Sequence, residues 1–365
     1  MHRSGRIAGR SGTGTFAGVL VPSVLLFPLL LAAGCGSGSS PKRTAPSSST
    51  SPTAVTVTNP TTRIVPTLPT ATTAPGTSSA PAGGPCGFVQ SSRPSYGHVV
   101  WIWMENHSYG SVIGSSSAPF ENQLAAECGL ATNYHNVTHP SLPNYVAATS
   151  GIPYGSLGTF SSDCNPSSSC SAGPGVVNVF SQASGWKAYE ESMPRNCDRS
   201  DSGEYAVRHN PPPYYQALTA SCAANDVPFT QFATDLSAGS LPTFSFVTPN
   251  LIDDTHDGSV AEGDRWLRTT VNEVVSSPAY RSGGLALFIT WDEGEGGGAN
   301  NCATNTSDVG CHVATIVVSP STPAGTRSAQ LFNHYSLLRT AEDLLGLPAL
   351  GQAAVATSMV AAFDL

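Results

Sequence analysis

The residue pairs Glu105-Asn106 and Asp292-Glu293 have the chemistry of a metal site. Adjacent carboxylates repel each other unless a cation or protons compensate their charge. Together the two pairs offer three carboxylates and one amide oxygen, hard ligands that suit a divalent cation. An acidic turn exposed to solvent is the alternative for either pair taken alone. The two pairs therefore predict a divalent metal site, provided that the fold brings them together.

Ser141 is the candidate nucleophile, in the segment Thr138-His-Pro-Ser-Leu-Pro-Asn-Tyr145. The segment has the pattern of a helix start, with Ser141 as the N-cap and Pro143 in the first turn. A serine that only caps the helix is the alternative. Free N–H groups at a helix start also bind anions, and a nearby metal ion makes a serine a stronger nucleophile. Asn144 could then donate a hydrogen bond to a phosphoryl oxygen.

His209 and His256 are the candidates for phosphate binding and proton transfer. His256 lies in the acidic segment 253–257, and His209 precedes an Asn-Pro-Pro-Pro sequence. A histidine can bind phosphate as imidazolium or protonate a leaving oxygen. Each could instead be a structural histidine held by backbone hydrogen bonds. Three further histidines are weaker candidates, the last expected in a supporting role: His139, His312 and His334.

The elements that must position these residues alternate along the chain. Continuous apolar runs, typical of strands buried on both faces, occupy 98–104, 243–247, 285–291 and 313–318. Helical patterns lie between or after them, at 122–128, 141–149, 260–275 and 335–345. This alternation predicts an α/β fold with a mostly parallel sheet sandwiched by helices. Because such sheets bind ligands at the carboxyl ends of their strands, the two acidic pairs and the segment 253–257 are expected to converge there.

Composition divides the 365-residue chain into three parts. Residues 36–85 are dominated by Ser, Thr, Pro, Ala and Gly, which predicts a disordered tether. Residues 86–365 form the predicted catalytic domain, in which 151–240 is expected to hold insertions pinned by disulfides. The net charge of −8, with 11% charged residues, provides no basic surface for nucleic acid.

Residues 1–35 have the pattern of an export signal, with basic residues followed by an apolar run over 16–33. The run ends on Leu31-Ala-Ala-Gly-Cys35, which resembles a bacterial lipobox, and this implies that Cys35 is acylated. A transmembrane anchor is the alternative, but the run is short and interrupted by two prolines. The sequence therefore predicts an exported protein, anchored by lipid on the outer face of the cell membrane.

The other eight of the nine cysteines all lie in the predicted catalytic domain. Export makes disulfides the expected state, and no Cys-x-x-Cys pair favours metal binding instead. Eight cysteines allow 105 pairings, so the sequence leaves the connectivity open. The short spacings make Cys164–Cys170 and Cys302–Cys311 the natural local pairs.

Several motifs occur in order between residues 97 and 347. They are Met104-Glu-Asn-His-Ser-Tyr109, His139-Pro-Ser-Leu-Pro-Asn-Tyr145, Arg208-His-Asn-Pro-Pro-Pro-Tyr214, Thr248-Pro-Asn250 with Asp254-Thr-His-Asp257, Trp291-Asp-Glu-Gly294, and His334-Tyr-Ser-Leu-Leu-Arg-Thr-Ala-Glu342. This ordered set resembles the bacterial phosphoesterase family of acid phosphatases and phospholipase C enzymes, within the alkaline-phosphatase-like superfamily.

The resemblance implies a metal-dependent hydrolase that forms a phosphoserine. It assigns phosphate binding to His209 and His256, either of which would assist the leaving alcohol. Because histidines are few, one metal ion is expected rather than two. A sulfatase of this fold would need Arg where Tyr145 stands. The implied metal ligands are Glu105, Asn106, Ser141, Asp292 and Glu293.

Phosphomonoesters are the expected substrates, with phospholipase C activity on phospholipid headgroups as the alternative. The polar tether would hold the domain off its own membrane, and little sequence follows the last predicted helix to form a lipid-binding domain. A non-catalytic binding lipoprotein is an alternative of another class. Intact Ser141, Asp292 and Glu293 argue against it.

Replacing Cys35 by alanine is expected to move the protein from the membrane fraction to a soluble or unprocessed form. The reason is that the acyl chains would lose their point of attachment. Fractionation followed by immunoblotting measures the distribution, and Ser40→Ala, just beyond the motif, is the matched control. A Cys35→Ala protein that is processed normally and stays with the membrane would contradict the lipid anchor.

Overall fold

The computed structural model describes residues 84–89, 95–296, 301–305 and 307–365. The predicted export signal (1–35) and nearly all of the predicted tether (36–85) lie outside these residues. Within the described ranges, no helix combines the length and apolar character needed to cross a membrane. The fold described here is that of the predicted catalytic domain.

A mostly parallel sheet forms the centre of the described residues. Its strand order is β4-β3-β5-β1-β6-β7-β2-β8, and β9 also pairs with β2. Only β7, among these strands, runs antiparallel to its neighbours β6 and β2. The strands are β1 (His98–Met104), β2 (Gly129–His135), β3 (Trp186–Glu190), β4 (Asp226–Pro228), β5 (Phe244–Thr248), β6 (Leu285–Trp291), β7 (His312–Val318), β8 (Arg327–Ser328) and β9 (Phe332–Asn333).

Helices cover both faces of this sheet, which confirms the predicted α/β class. On one face Trp103 packs against Tyr145 and His334, with ring centroids 4.9 and 4.8 Å apart. On the other face Met104 lies against a long helix at Gly263. The helices are α1 (Tyr109–Val112), α2 (Pro119–Glu127), α3 (Ser141–Ser150), α4 (Val179–Gln182), α5 (Cys222–Asn225), α6 (Thr230–Ala238), α7 (Val260–Ser276), α8 (Pro278–Arg281), α9 (His334–Leu345) and α10 (Val360–Phe363).

Strand β1 lies between β5 and β6 and is apolar because both of its sides face protein. Its residues from Val99 to Met104 have no exposed surface. Full burial of each large side chain stabilises the fold by roughly 1.5–3 kcal/mol. The parallel register pairs Met104 with Trp291, the last residue of β6. The two strands therefore end at the same level, and the residues that follow them are neighbours.

Helix α7 approaches the sheet closely because it carries glycine at position 263. A Cβ atom there would lie 2.3 Å from Thr255 Cγ2 and 2.9 Å from Met104 Cε, distances at which the neighbours would have to move. The helix begins at a capping box, in which Ser259 Oγ accepts the Glu262 N–H and the Glu262 carboxylate accepts the Ser259 N–H. The capping box at Ser259 and the close contact at Gly263 together fix the loop that precedes α7.

Region 151–240 contributes more than the predicted insertions. It holds two disulfides, as expected, but it also supplies strands β3 and β4 of the sheet. The sequence did not predict these strands because β3 is short and carries Lys187 and Glu190, and β4 has only three residues. Strand β2 was also missed, since polar residues interrupt its apolar run.

Four disulfides join all eight cysteines of the described residues. Both local pairs predicted from the sequence, Cys164–Cys170 and Cys302–Cys311, are confirmed. The others are Cys86–Cys128, with Cα atoms 5.3 Å apart, and Cys197–Cys222, at 5.5 Å. The Cys86–Cys128 bond closes the longest loop, with a sequence separation of 42.

Removal of the Cys86–Cys128 bond by a double serine substitution is expected to cost more stability than removal of Cys164–Cys170. Loop-closure entropy gives roughly 4 kcal/mol for the long loop and roughly 2 kcal/mol for the short one. Cys86 and Cys128 are also buried, which adds to the loss. Denaturant unfolding under non-reducing conditions measures both costs. Equal costs would show that loop length does not set the contribution of these bonds.

Candidate active site

Two strand ends bring the acidic pairs together. Glu105-Asn106 follows β1 and Asp292-Glu293 follows β6, at the same level of the sheet. The Asn106 backbone N–H donates to Asp292 Oδ1 at 3.2 Å. The Asp292 backbone N–H donates to the Met104 carbonyl at 3.0 Å. The two pairs are therefore adjacent, at the sheet edge where ligands of such folds bind.

Ser141 is the first residue of α3, and Pro140 occupies the cap position. The prediction that Ser141 caps the helix is therefore wrong by one residue. Its side chain makes no capping bond, and its Oγ donates instead to Glu105 Oε2 at 3.1 Å. The Ser141 side chain also opposes, to a smaller degree than burial, the rise in the pKa of the Asp292 carboxyl group. The candidate nucleophile thus faces both acidic pairs from the start of a helix.

Tyr145, His209 and Asp254 complete the buried cluster around Glu105. Tyr145 donates its hydroxyl to Glu105 Oε1. His209 Nε2 lies 3.4 Å from the same oxygen, and His209 Nδ1 lies 3.3 Å from Asp254 Oδ2. The His209 ring stacks on Tyr145, with 5.6 Å between centroids. Tyr145 was detectable from the sequence, since it lies four residues after Ser141 and hence on the same helix face.

Burial and mutual repulsion dominate the electrostatics of this cluster. Burial first, then the charges of Asp292 and Asp254, raises the pKa of Glu105 well above its usual value. Burial and the charge of Glu293 likewise raise the pKa of Asp292. Burial lowers the pKa of His209, with smaller contributions from Arg208 and His256. Protein groups alone therefore leave the carboxylates poorly compensated.

Two buried oxygen atoms test whether a metal ion fits here. Asn106 Oδ1 and Asp292 Oδ2 have no hydrogen-bond partner among the described residues. Leaving a buried acceptor unsatisfied costs roughly 1–3 kcal/mol, and more when it is charged. Amide and carboxylate oxygens are the ligands that hard divalent cations prefer. The donor set between β1 and β6 therefore fits a divalent metal ion.

Two residues next to the cluster, Asn106 and Thr255, have strained backbone conformations. Asn106 has φ = 52° and Thr255 has φ = 82°, in the left-handed region that non-glycine residues rarely adopt. Thr255 is β-branched, for which such a value is a clear outlier. Its Oγ1 donates to the Glu105 carbonyl at 2.9 Å. Residues of this kind cost of order 1–3 kcal/mol each and concentrate at functional sites.

Asn144 is fully buried behind Ser141 and holds the loop that leads into α3. Its Oδ1 accepts the backbone N–H groups of Val137 and Thr138, at 2.9 and 3.0 Å. Its Nδ2 donates to the Thr138 and Pro140 carbonyls and to Glu293 Oε2. Both ends of the Asn144 amide are therefore hydrogen-bonded within the protein. The hydrogen bond from Asn144 to a phosphoryl oxygen stays a prediction.

His256 lies at the open side of the site. Its side chain is 26% exposed, whereas that of His209 is 2% exposed. His256 Nδ1 lies 2.7 Å from Asp257 Oδ1, and its Nε2 lies 3.1 Å from an Arg208 nitrogen. The ring centroids of the two histidines are 5.7 Å apart. A depression of about 440 Å³ opens there, and its lining includes Asn106, His139, His256 and Glu293.

The remaining histidines have different surroundings. His334 Nε2 lies 2.7 Å from the Asp292 carbonyl, and its Nδ1 lies 3.1 Å from the Tyr134 hydroxyl. Burial lowers the pKa of His334 to about 4, so it is neutral and supports the Asp292 backbone. His139 Nδ1 pairs with Glu293 at 2.9 Å. His312 stacks on the Tyr109 ring instead.

Sequence comparison assigns the class of protein that this fold and site define. Residues 115–348 match the family model of the Phosphoesterase family. The chain belongs to this family, as its motifs predicted, and it is a hydrolase that acts on phosphoester bonds. It is 30% identical over 273 residues to the phosphatidylinositol-3-phosphatase of Mycobacterium tuberculosis. That alignment covers 73% of this chain and 83% of the relative.

Fungal acid phosphatases are also similar to the chain. It is 27% identical to the acid phosphatase of Aspergillus fumigatus, over 69% of this chain and 55% of that protein. It is 27% identical to the phosphate-repressible acid phosphatase of Penicillium chrysogenum, over 71% of this chain and 61% of that one. The chain thus spans less than two thirds of the length of these two relatives. A solved alkaline-phosphatase-superfamily protein from Vibrio parahaemolyticus aligns with a TM-score of 0.46 and 13% identity, over 74% of this chain and 71% of that one.

Proposed function

We propose that this phosphoesterase is a metal-dependent phosphomonoesterase whose nucleophile is Ser141, exported and anchored through Cys35. The observation that carries the proposal is the direction of the Ser141 hydroxyl. It donates to Glu105 within a group of buried carboxylates, next to the unpaired oxygens of Asn106 and Asp292. A serine that had only a structural role at the helix start would use its hydroxyl to cap a backbone N–H.

One divalent ion would be held by Glu105, Asn106, Ser141, Asp292 and Glu293. When bound, it supplies positive charge that lowers the pKa of the serine hydroxyl and stabilises negative charge on the phosphoryl oxygens. Two groups of three His, Cys or Asp side chains among the described residues have ligand atoms within 4.8 Å of one another, and each contains a disulfide, Cys302–Cys311 or Cys197–Cys222. Disulfide sulfurs lack the thiolate that binds metal.

In the first step, Ser141 Oγ attacks phosphorus in line with the leaving oxygen. The hydroxyl proton passes to Glu105, the carboxylate to which Ser141 already donates. The phosphorus–oxygen bond of the ester breaks, and the leaving oxygen takes a proton from a histidine at the site. His256 suits this role better than His209 because it lies on the open side.

In the second step, water attacks the phosphoserine and gives its proton back to His256. Phosphate leaves, and Ser141 recovers its proton from Glu105. Burial lowers the pKa of His209, and a neutral His209 between Glu105 and Asp254 has one N–H, with which it would orient one of the two carboxylates. Orientation of this kind contributes to catalysis because the charges are already in place when the reaction begins.

Phosphomonoesters are proposed as substrates in preference to the phosphodiesters that a phospholipase C would cleave. The relatives reported above are all named as phosphatases, including one named for a phosphoinositide. These names support small phosphorylated molecules or phosphorylated lipid headgroups as substrates. The depression beside His256 is large enough for a phosphoryl group and part of an alcohol.

Substitution of Ser141 by alanine is expected to lower kcat at least a thousandfold, because the covalent step needs the hydroxyl. The melting temperature should change by only a few degrees, since the side chain makes no capping bond. Hydrolysis of p-nitrophenyl phosphate and thermal unfolding measure the two effects. Ser150→Ala, at the other end of α3, is the matched control. A Ser141→Ala protein with more than a tenth of wild-type kcat would indicate direct attack by water.

Asp292→Asn is expected to reduce bound metal and turnover together. The amide has the size of the carboxylate but places an N–H group or a neutral oxygen where Oδ2 now lacks a partner. Elemental analysis of the purified protein measures metal content beside activity. Asp343→Asn, which makes the same change at an exposed carboxylate of α9 that pairs with Arg339, is the control. Wild-type activity in a chelated, metal-free preparation would refute the metal requirement.

A further inference from the structure

Asp163 places a carboxylate directly beside the candidate nucleophile. Its Oδ1 accepts the backbone N–H of Leu142, the residue after Ser141, at 3.0 Å. Its Oδ2 lies 3.9 Å from Arg208 Nε. The charge of Asp163 also reaches Glu293, since it raises the pKa of that residue, after the larger effect of burial. None of the sequence motifs includes Asp163, and the steps proposed above do not use it.

The two groups that hold Asp163 are typical donors to phosphate. An N–H group in the first turn of a helix and an arginine guanidinium both bind phosphoryl oxygens. Pro143 has no N–H, so the Leu142 amide is one of few donors in this turn. The Leu142 N–H directly follows the nucleophile and donates to Asp163, an anion that belongs to the chain, and Arg208 Nε lies 3.9 Å from the same carboxylate.

The fold keeps this carboxylate in place. Asp163 immediately precedes Cys164, whose disulfide to Cys170 closes a short loop. The Tyr214 hydroxyl donates to the Cys164 carbonyl at 2.7 Å, and Tyr214 is buried. The Asp163 side chain is 36% exposed, so solvent weakens its field without removing it. The negative charge is therefore a fixed part of the site.

We propose that Asp163 is a specificity-determining residue, which weakens the binding of doubly charged phosphoryl groups beside Ser141 relative to singly charged ones. The proposal rests on Ser141 being the nucleophile. A phosphoryl group on Ser141 has to share or displace the contacts of Asp163 with Leu142 and Arg208. The repulsion from the carboxylate is twice as large for a dianion as for a monoanion at the same distance.

Asp163→Asn tests the proposal, because asparagine keeps the shape and the acceptor for the Leu142 N–H but removes the charge. Two esters with the same leaving group are compared, p-nitrophenyl phosphate and methyl p-nitrophenyl phosphate. At about pH 7.5 the first is a dianion, since the second pKa of such a monoester is about 6. In the variant, the ratio of kcat/KM for p-nitrophenyl phosphate to kcat/KM for methyl p-nitrophenyl phosphate is expected to rise about tenfold. Inorganic phosphate, titrated calorimetrically into the metal-loaded enzyme, should bind about tenfold more tightly.

Asp343→Asn is the matched control, because it removes the same charge from an exposed part of α9, where Asp343 pairs with Arg339. Melting temperatures show whether each variant folds, and Asp163→Ser replaces Asp163→Asn if that protein is unstable. Weaker phosphate binding would mean that Asp163 only orients Arg208, and this would overturn the proposal. An unchanged ratio of the two esters, with or without tighter phosphate binding, would also overturn it. A wild-type enzyme that hydrolyses neither ester would contradict the proposed function, while the phosphate titration would still report on Asp163.

Discussion

Repulsion among buried carboxylates is the constraint around which this domain is organised. Glu105, Asp254 and Asp292 have no exposed surface, and burial raises the pKa of each. The surrounding groups compensate this charge in part. Tyr145 donates to Glu105, and backbone N–H groups of Asn106 and Glu293 donate to Asp292. A large apolar sheet supports this arrangement, and under the proposed function a cation would complete its compensation.

The apolar sheet and the polar site are connected through a few side chains. Trp103 of β1 packs on Tyr145, which donates to Glu105, and on His334, which supports the Asp292 carbonyl. The same aromatic ring thus contacts the helix of the candidate nucleophile and the residue behind the second acidic pair. Precise orientation of the carboxylates follows from core packing, since interiors this dense tolerate little displacement.

Sequence patterns predicted the central strands, the long helices and the meeting of the acidic pairs, because these depend on continuous burial and on strand direction. They missed β2 and β3, in which polar residues such as Asn133 and Lys187 interrupt the apolar pattern. They placed the segment 253–257 at the site but gave Asp254 no role, and they did not find Asp163. Both reach the site through loops whose course depends on long-range contacts, the former on α7 and the latter on a disulfide and Tyr214. No local periodicity encodes such contacts.

Gly263 gives the site a dependence on a helix that does not contribute any residue to it. A side chain at this position would push on Thr255, and the Thr255 hydroxyl is bonded to the Glu105 carbonyl. A residue other than glycine at position 263 would therefore alter the activity of the site, although this position lies on the opposite face of the sheet from Ser141. A survey of site-lining residues alone would miss it. The evolutionary freedom of the catalytic centre is in this way limited by the scaffold as well as by the chemistry.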